Sequence, residues 1–372
     1  MVKQAAKLFA IMIGVAMAFT SLAQGEVKMA IWGKTADGVA VPIYTLTSGQ
    51  IEVRVTAYGA HLVSIKTPDR TGNAADIILG FGSLQGYLTQ PNSYLGAIVG
   101  RYGNRIALGK FTLDGKTYQI PVNNGPNALH GGPMGFDQYV WKSQEVPDGV
   151  EFTHVSPDGD MGFPGTLTAK VRYTLKGDTL RIDYSATTDK ATVLNITNHS
   201  YFNLHGDGKG NILDQRIEIN ADRYTPVDAG LIPTGELASV AGTPMDFRKP
   251  EAIGARIDDS NEQLKRAGGY DFNFVLNGKP GTMRVAAIAT DPASGRKLTV
   301  ETTEPGVQFY SGNFLDGSLT GWNGVKYEKH GGFCLETQHF PDSPNHPDFP
   351  STELKPGETM HSTTTFTFGV TK

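Results

Sequence analysis

Residues 167–188 read LTAKVRYTLKGDTLRIDYSATT, and this stretch indicates the fold class more clearly than any other. Apolar and polar side chains alternate on both sides of a Lys176-Gly177-Asp178 turn, which is the period of two expected of strands with one buried face. A strand, a short turn with glycine and a second strand form an antiparallel hairpin. The stretch therefore predicts an antiparallel sheet.

The same alternation recurs at residues 110–120, 282–302 and 363–368. The best helical segment is short, residues 251–266, and it lies among loops rather than between parallel strands, which disfavours a doubly wound α/β sheet. We therefore predict an all-β fold, a large antiparallel β-sandwich with few short helices.

The composition is that of a globular, turn-rich protein, with 372 residues, 45 glycines and 21 prolines. The net charge is −4 and the basic residues are scattered, so the sequence lacks the positive patch that binding to nucleic acid requires. No linker rich in proline, serine or charge divides the chain. We predict a single domain over residues 24–372.

The first 23 residues have the pattern of a secretory signal peptide. Lys3 and Lys7 precede an apolar run over residues 8–19, and a small-residue cleavage site ends at Ala23. The run is shorter than the roughly 20 residues that a spanning helix needs. Residue 24 is Gln24 rather than cysteine, which excludes a lipid anchor there. We predict cleavage after Ala23 and an exported, periplasmic protein without a membrane anchor.

Cys334 is the sole cysteine, so the chain forms no internal disulfide. Unpaired cysteines are among the most buried residues, and we predict a buried thiol whose replacement by alanine leaves activity largely intact.

Two segments far apart in the chain carry the clearest chemical signal. Residues 198–204 contain His199, and residues 333–338 contain Glu336. An imidazole titrates near neutrality and a carboxylate is normally ionised there, so the two groups can move protons in opposite senses on one bound molecule. The pair predicts acid-base chemistry on a small substrate.

Three further segments place polar groups where a packed strand prefers none. Residues 100–106 carry two arginines that suit the clamping of oxygen atoms, although a surface ion pair explains them equally. Residues 127–132 set His130 beside two glycines, where a histidine capping a turn is the alternative. Residues 269–274 set Asp271 between aromatic rings, an arrangement that suits a sugar, and a turn-forming aspartate is the alternative.

His339 and His346 fit no compact zinc spacing and lie among prolines, so we predict two exposed or turn histidines and no metal site. No phosphate loop, nucleotide fingerprint or nucleophile elbow is found in the sequence, and we predict no cofactor.

Taken together, six segments of the chain resemble the aldose 1-epimerase, or galactose mutarotase, family. The motifs that carry the resemblance are Gly-Arg-x-x-Asn-Arg-Ile at residues 100–106, Asn-x-Leu-His-Gly-Gly at 127–132, Asn-His-x-Tyr-Phe-Asn-Leu at 198–204, Gly-Tyr-Asp at 269–271, the glutamine strand at 306–310, and Leu-Glu-Thr-Gln at 335–338 with the Pro-Asn-His-Pro loop behind it. The resemblance covers nearly all of the chain after residue 23.

The resemblance implies a β-supersandwich and a role for each of seven residues. His199 is implied as general acid and Glu336 as general base, and the implied sugar-binding residues are Asn104, Arg105, His130, Asp271 and Gln308. Two departures are visible: Phe272 stands where many relatives carry histidine, and Tyr102-Gly103 stands where a small aliphatic pair is common.

The implied partner is a free aldose such as galactose, glucose or a related pentose or hexose. Two other functions remain open at this point. A non-catalytic carbohydrate-binding protein would need the sugar contacts but not an acid opposite a base. A glycoside hydrolase needs two carboxylates, the second of which would have to be Asp271. The sequence does not specify the preferred aldose or the oligomeric state.

Overall fold

The computed structural model describes residues 25–90 and 93–371. The predicted signal peptide lies outside these residues. The described part contains two short α-helices, α1 (Leu84–Thr89) and α2 (Glu262–Ala267). Its strands are β1 (Glu26–Lys34), β2 (Ala40–Ser48), β3 (Ile51–Thr56), β4 (Leu62–Pro68), β5 (Ala74–Asp76), β6 (Ala97–Val99), β7 (Arg105–Ile106), β8 (Lys110–Leu113), β9 (Lys116–Gln119), β10 (Ala128–Leu129), β11 (Lys142–Val146), β12 (Gly149–Ser156), β13 (Leu167–Lys176), β14 (Thr179–Thr188), β15 (Thr192–Val193), β16 (Thr197–His199), β17 (Tyr201–Phe202), β18 (Arg216–Ile219), β19 (Ala221–Tyr224), β20 (Ala238–Ser239), β21 (Glu251–Ala252), β22 (Asp271–Leu276), β23 (Arg284–Thr290), β24 (Arg296–Thr302), β25 (Gly306–Tyr310), β26 (Phe333–Gln338), β27 (Glu353–Leu354) and β28 (Met360–Val370).

Three large sheets contain most of these strands. Their strand orders are β11-β12-β13-β14-β28-β24-β23-β18-β21, β17-β26-β25-β22-β19-β20 and β1-β2-β3-β4-β5. Neighbouring strands within these sheets pair antiparallel, which confirms the all-β antiparallel prediction. The hairpins predicted at residues 110–120, 167–188 and 282–302 form as β8-β9, β13-β14 and β23-β24.

The nine-stranded sheet packs against both of the other large sheets. Tyr44 of the five-stranded sheet meets Phe152 edge to face with ring centroids 5.9 Å apart, and Phe202 of the six-stranded sheet meets Phe366 in the same way at 5.2 Å. One continuous apolar core joins the three sheets. Strand β13 alternates buried and more exposed residues along its length, because one face joins this core and the other meets water.

The helix predicted over residues 251–266 is largely wrong. Residues 251–252 form a strand, residues 253–255 form a 3₁₀ turn, and only Glu262–Ala267 is α-helical. The helix begins at Asn261, whose side chain accepts a hydrogen bond from the amide of Gln263, and it ends at Gly268 with φ of +66°. These two caps limit the helix to less than two turns. The two α-helices of the described residues have six residues each, far fewer than the roughly 20 apolar residues of a membrane-spanning helix.

Candidate active site

The register of one strand pair brings His199 to Glu336. Strand β17 pairs antiparallel with β26, with Tyr201 opposite Cys334. Side chains two residues apart in an extended chain share a face, so continuing this register by two residues places His199 opposite Glu336. Nε2 of His199 lies 3.7 Å from Oε1 of Glu336, and both side chains are buried. The two residues that lie 137 positions apart in the chain thus meet in one place.

Strand β26 presents two side chains to the His199 imidazole. Glu336 faces Nε2, and the thiol of Cys334 lies 3.6 Å from Nδ1. Cys334 is fully buried, as predicted. Among the described residues Oε2 of Glu336 has no hydrogen-bond partner, although it is buried. A buried, unpartnered carboxylate oxygen is unfavourable unless another molecule supplies a donor.

A second antiparallel pair brings Asn104 to His130. Leu129 of β10 lies opposite Arg105 of β7. One residue beyond each strand, the amide of His130 donates to the carbonyl of Asn104, and the amide of Asn104 donates to Nδ1 of His130 at 3.2 Å. Both residues have positive φ, +64° and +52°, a conformation that costs energy for side chains other than glycine. The reciprocal bonds hold this strained turn, and the neutral His130 ring keeps its hydrogen on Nε2.

Arg105, Asp271 and Gln308 form a buried polar network beside the pair. Nη1 of Arg105 lies 3.5 Å from Oδ2 of Asp271, and Nε2 of Gln308 donates to Oδ1 of Asp271 at 2.7 Å. Gln308 is opposite Glu336 in the β25-β26 register. Gln308 therefore supports Asp271 from behind, whereas Asp271 and Arg105 reach the cavity.

A cavity of about 190 Å³ contains the acid-base pair. Of the seven residues named from the sequence, six line it: Asn104, Arg105, His130, His199, Asp271 and Glu336. The sequence did not single out the other lining residues, which are Ser93, Tyr94, Leu129, Tyr201, Tyr310, Phe314, Leu315 and Leu319. Leu129, Tyr201 and Tyr310 stand inside three of the motifs, but nothing in the sequence around Tyr94 marks it.

The larger groove elsewhere on the molecule, about 720 Å³, runs between residues 48–51 and 368–370. Its charged lining residues are Asp148, Lys176 and Asp178, which belong to turns at the ends of strands. It contains no histidine and no carboxylate paired with a titrating group. The smaller cavity is therefore the candidate active site.

Burial dominates the electrostatics of the cavity. Desolvation lowers the pKa of His199 to about 4, and it lowers the pKa of His130 well below its usual value, with His199 and Arg105 as additional causes. Desolvation and then the nearby Asp271 carboxylate raise the pKa of Glu336 well above its usual value, against the opposing effect of Arg105. Each of these pKa shifts favours the neutral form of its group. Both shifts are therefore consistent with a single proton that His199 and Glu336 share.

Two clusters of the described residues have nitrogen and oxygen atoms close enough to hold a metal ion. The first is His130, His199 and Glu336, and the second is His205, Asp214 and Asp291. In the first, Nδ1 of His130 already accepts the amide of Asn104, which leaves Nε2 as a donor rather than a ligand. In the second, each ring nitrogen of His205 already faces a carboxylate, at 3.0 and 3.1 Å. Contacts within the protein thus already engage one ring nitrogen of His130 and both ring nitrogens of His205.

Several residues named from the sequence lie outside the cavity. Arg101 is buried and donates to the carbonyls of residues 156, 164 and 165, so it holds a turn and forms neither a clamp nor a surface ion pair. Phe272 is fully buried against Tyr224, and it does not line the cavity. His339 and His346 pair with Glu304 at 2.7 Å and with Asp342 at 3.3 Å. Both side chains are partly buried, 30% and 22% exposed, and each faces a buried carboxylate.

The fold and the site together define a β-sandwich protein with a buried imidazole-carboxylate pair in a cavity lined by polar and aromatic groups. The chain belongs to the aldose 1-epimerase family, whose model matches residues 42–367. Galactose mutarotase of Bos taurus is 49% identical over 346 residues, covering 93% of this chain and 99% of that protein. Aldose 1-epimerase of Escherichia coli K12 is 41% identical, covering 89% and 96%. The crystal structure of galactose 1-epimerase from Lactobacillus acidophilus superposes with a TM-score of 0.81 at 29% identity, covering 93% and 99%.

Proposed function

We propose that this protein is an aldose 1-epimerase that interconverts the α and β anomers of free aldoses, galactose and glucose among them. The observation that carries the proposal is the contact of His199 with Glu336 inside one cavity, in a chain of this family. Anomers interconvert through the open-chain aldehyde. Opening the ring requires a proton to leave the C1 hydroxyl and a proton to reach the ring oxygen.

The pair is arranged for those two transfers. The C1 hydroxyl oxygen and the ring oxygen are attached to the same carbon, so a donor and an acceptor 3.7 Å apart can each face one of them. In the ring-opening step Glu336 takes the hydroxyl proton while His199 gives a proton to the ring oxygen. After rotation about the C1–C2 bond, neutral His199 removes a proton, Glu336 returns one, and the ring closes on the opposite face.

The proton count of the pair is the same before and after ring opening. Imidazolium with carboxylate and imidazole with carboxylic acid contain the same protons, so each half-reaction moves the pair between these two forms. Because desolvation favours the neutral forms, the free enzyme stores its proton on Glu336, and the bound sugar must stabilise the charged form. The guanidinium of Arg105, which acts to lower the pKa of Glu336, adds to the stabilisation of the carboxylate.

Binding and catalysis are divided among different residues in this proposal. Arg105, His130, Asn104 and Asp271 hold the hydroxyl groups while the ring is open, and Gln308 fixes Asp271. Positioned proton transfer contributes about 10² to 10⁴-fold per group, which suffices for a reaction that already proceeds slowly in water. Neither step requires a cofactor.

Polarimetry tests the proposal. Freshly dissolved α-D-galactose and α-D-glucose should reach the equilibrium rotation many times faster with the enzyme than without it, and a panel of pentoses and hexoses would rank the substrates. Sugar binding without acceleration would identify a carbohydrate-binding protein instead. Release of nitrophenol from a nitrophenyl glycoside without mutarotation would identify a glycoside hydrolase.

The pH dependence of kcat/KM supplies a second test. Activity requires one proton on the pair, so it should fall below about pH 4 as His199 takes a second proton, and fall again above the raised pKa of Glu336 as the only proton is lost. The resulting profile would be a bell whose top lies between these two limits. A monotonic profile would contradict the shared-proton scheme.

We also propose export to the periplasm, supported by the pattern of the first 23 residues. Expression of the full chain followed by cell fractionation and N-terminal sequencing should find mature protein that begins at Gln24. Recovery of the uncleaved chain in the cytosol would contradict export and would leave the proposed activity untouched.

A further inference from the structure

The guanidinium of Arg105 has two side-chain partners among the described residues, and they hold it unequally. Nη1 lies 3.5 Å from Oδ2 of Asp271, which is longer than the about 2.7–2.9 Å of a well-formed hydrogen bond between charged groups. Nε donates to Oδ1 of Asn124 at 3.1 Å, which is within the normal range. The contact with Asn124 is therefore the better formed of the two.

Asn124 lies outside both the cavity and the motifs. It does not line the cavity, and it stands three residues before the motif at residues 127–132. Its side chain is half-buried, and among the described residues its hydrogen bond is the one to Arg105. The turn around Asn124 therefore does not depend on this side chain, which is free to serve the arginine.

The turn that carries Asn124 is held firmly by other groups. The backbones of Asn124 and Asn127 bond to each other reciprocally, at 3.1 and 3.0 Å. The side chain of Asn127 is itself bonded to two other loops. On the other side, the side chain of Asn123 bonds both the amide and the carbonyl of Leu129 in β10. Asn124 thus presents its oxygen to Arg105 from a fixed position.

We propose that Asn124 is a positioning residue, which orients the Arg105 guanidinium toward the bound sugar and the Glu336 carboxylate. A free arginine side chain has many rotamers, and fixing it before the sugar binds removes that cost from binding. With Nε held by Asn124 and Nη1 beside Asp271, Nη2 has no partner among the described residues and stays available as a donor. The inference rests on the proposed epimerase activity and adds a residue that acts through Arg105.

The charge of Arg105 gives this orientation a measurable consequence. Desolvation and then Asp271 raise the pKa of Glu336, and Arg105 opposes them. A guanidinium that leaves its position opposes them less, so Glu336 keeps its proton to higher pH. Loss of the Asn124 oxygen should therefore move the alkaline limb of the pH profile, which a merely looser turn would not do.

Two substitutions of similar shape test the role of the Asn124 oxygen. Asn124→Leu removes the acceptor, and we expect it to lower kcat/KM at least about tenfold and to move the alkaline limb to higher pH. Asn124→Asp keeps an acceptor and should retain kcat/KM within about threefold of the unaltered enzyme. Asn211→Leu, at an exposed turn elsewhere, is the matched control and should change neither quantity. N124D as impaired as N124L, or an unmoved alkaline limb in N124L, would overturn the inference.

An Arg105→Lys background tests whether Asn124 acts through the guanidinium. Lysine keeps the positive charge but has no Nε–H group in a rigid fork to be oriented. N124L should then lower kcat/KM less than about twofold further, because two changes to one interaction are not additive. A further loss as large as in the unaltered background would overturn the inference, provided that urea denaturation shows both variants to be folded. Absence of mutarotation by the unaltered protein would instead refute the proposed function.

Discussion

The nine-stranded and six-stranded sheets both have a polar face, but only the first of these faces meets water. On β12 and β13, Glu151 pairs with Arg172 and Lys170 at the surface. On β22, β25 and β26, the polar side chains face inward, and every residue of β25 and β26 is buried. Water screens the first set of charges. Water is excluded from the second set, and this burial is what shifts the pKa values of the groups there.

The two faces therefore differ in what one side chain contributes. A surface ion pair is worth about 0–1 kcal/mol, because solvent competes for both partners. Breaking a buried pair leaves an uncompensated charge and costs about 3–5 kcal/mol. The pair of Asp271 with Arg105 is a buried pair of this second kind. The two carboxylate oxygens of Asp271 are held by two side chains from different strands. The proposed catalytic pair is located on the face that excludes water.

The largest expected effect comes from removing the buried carboxylate of the pair. Glu336→Gln keeps the shape of the side chain but cannot accept a proton, and we expect kcat to fall at least about 10²-fold while sugar binding persists. Polarimetry measures kcat, and isothermal titration measures binding. Glu151→Gln on the water-facing sheet is the matched control and should retain full activity. Near-normal turnover in E336Q would contradict the assignment of the base.

A smaller effect is expected at a buried carboxyl outside the active site. Asp137 is buried with neither oxygen hydrogen-bonded among the described residues, and desolvation raises its pKa to about 7. Above pH 4 the unfolded chain releases this proton while the folded chain keeps it, so stability falls as the pH rises from about 4 to 7. Asp137→Asn removes this penalty, and its buried amide offsets part of the gain.

We expect D137N to raise the free energy of unfolding by about 1–3 kcal/mol near pH 8, and by little near pH 4. Urea denaturation at the two pH values measures the difference. Asp183→Asn, in which an exposed ion pair with Arg181 is lost, should show no such pH dependence. An equal gain for D137N at both pH values would mean that packing rather than charge is responsible.

A modest effect is expected at Cys334. Its thiol is a weak partner for Nδ1 of His199, and desolvation raises the pKa of the thiol well above its usual value, so it remains neutral. Cys334→Ala should therefore lower kcat less than about fivefold and leave KM unchanged. Cys334→Ser, which keeps a donor, should be closer still to the unaltered enzyme. A loss of about 10²-fold in C334A would show that the thiol is essential to the imidazole.

The smallest effect is expected on the water-facing sheet. Arg172→Ala removes one of the two partners of Glu151, and we expect the free energy of unfolding to change by less than about 1 kcal/mol. Thermal and urea denaturation both measure this quantity. A change of about 3 kcal/mol would place this pair in the same class as Asp271 with Arg105 and would remove the contrast between the two sheets.

The sequence predicted the features that depend on local pattern and missed those that depend on register. Alternation identified the β13-β14 hairpin, and the motifs identified His199 and Glu336. Gln308 supports Asp271 because three strands pair side by side. No single segment of the sequence contains all three strands. Tyr94 reaches the cavity from a segment without a motif. The helix at residues 251–266 failed because caps at Asn261 and Gly268 leave room for six residues only.

The pairing of Tyr201 with Cys334 also constrains how this chain can change in length. One residue separates His199 from Tyr201, and one residue separates Cys334 from Glu336. Inserting or deleting a single residue in either place would turn His199 or Glu336 to the opposite face of its strand. The intervening 130 residues between the two strands, by contrast, include loops whose length has no bearing on the contact. Homologous proteins should therefore tolerate length variation in those loops and keep the two short spacings fixed.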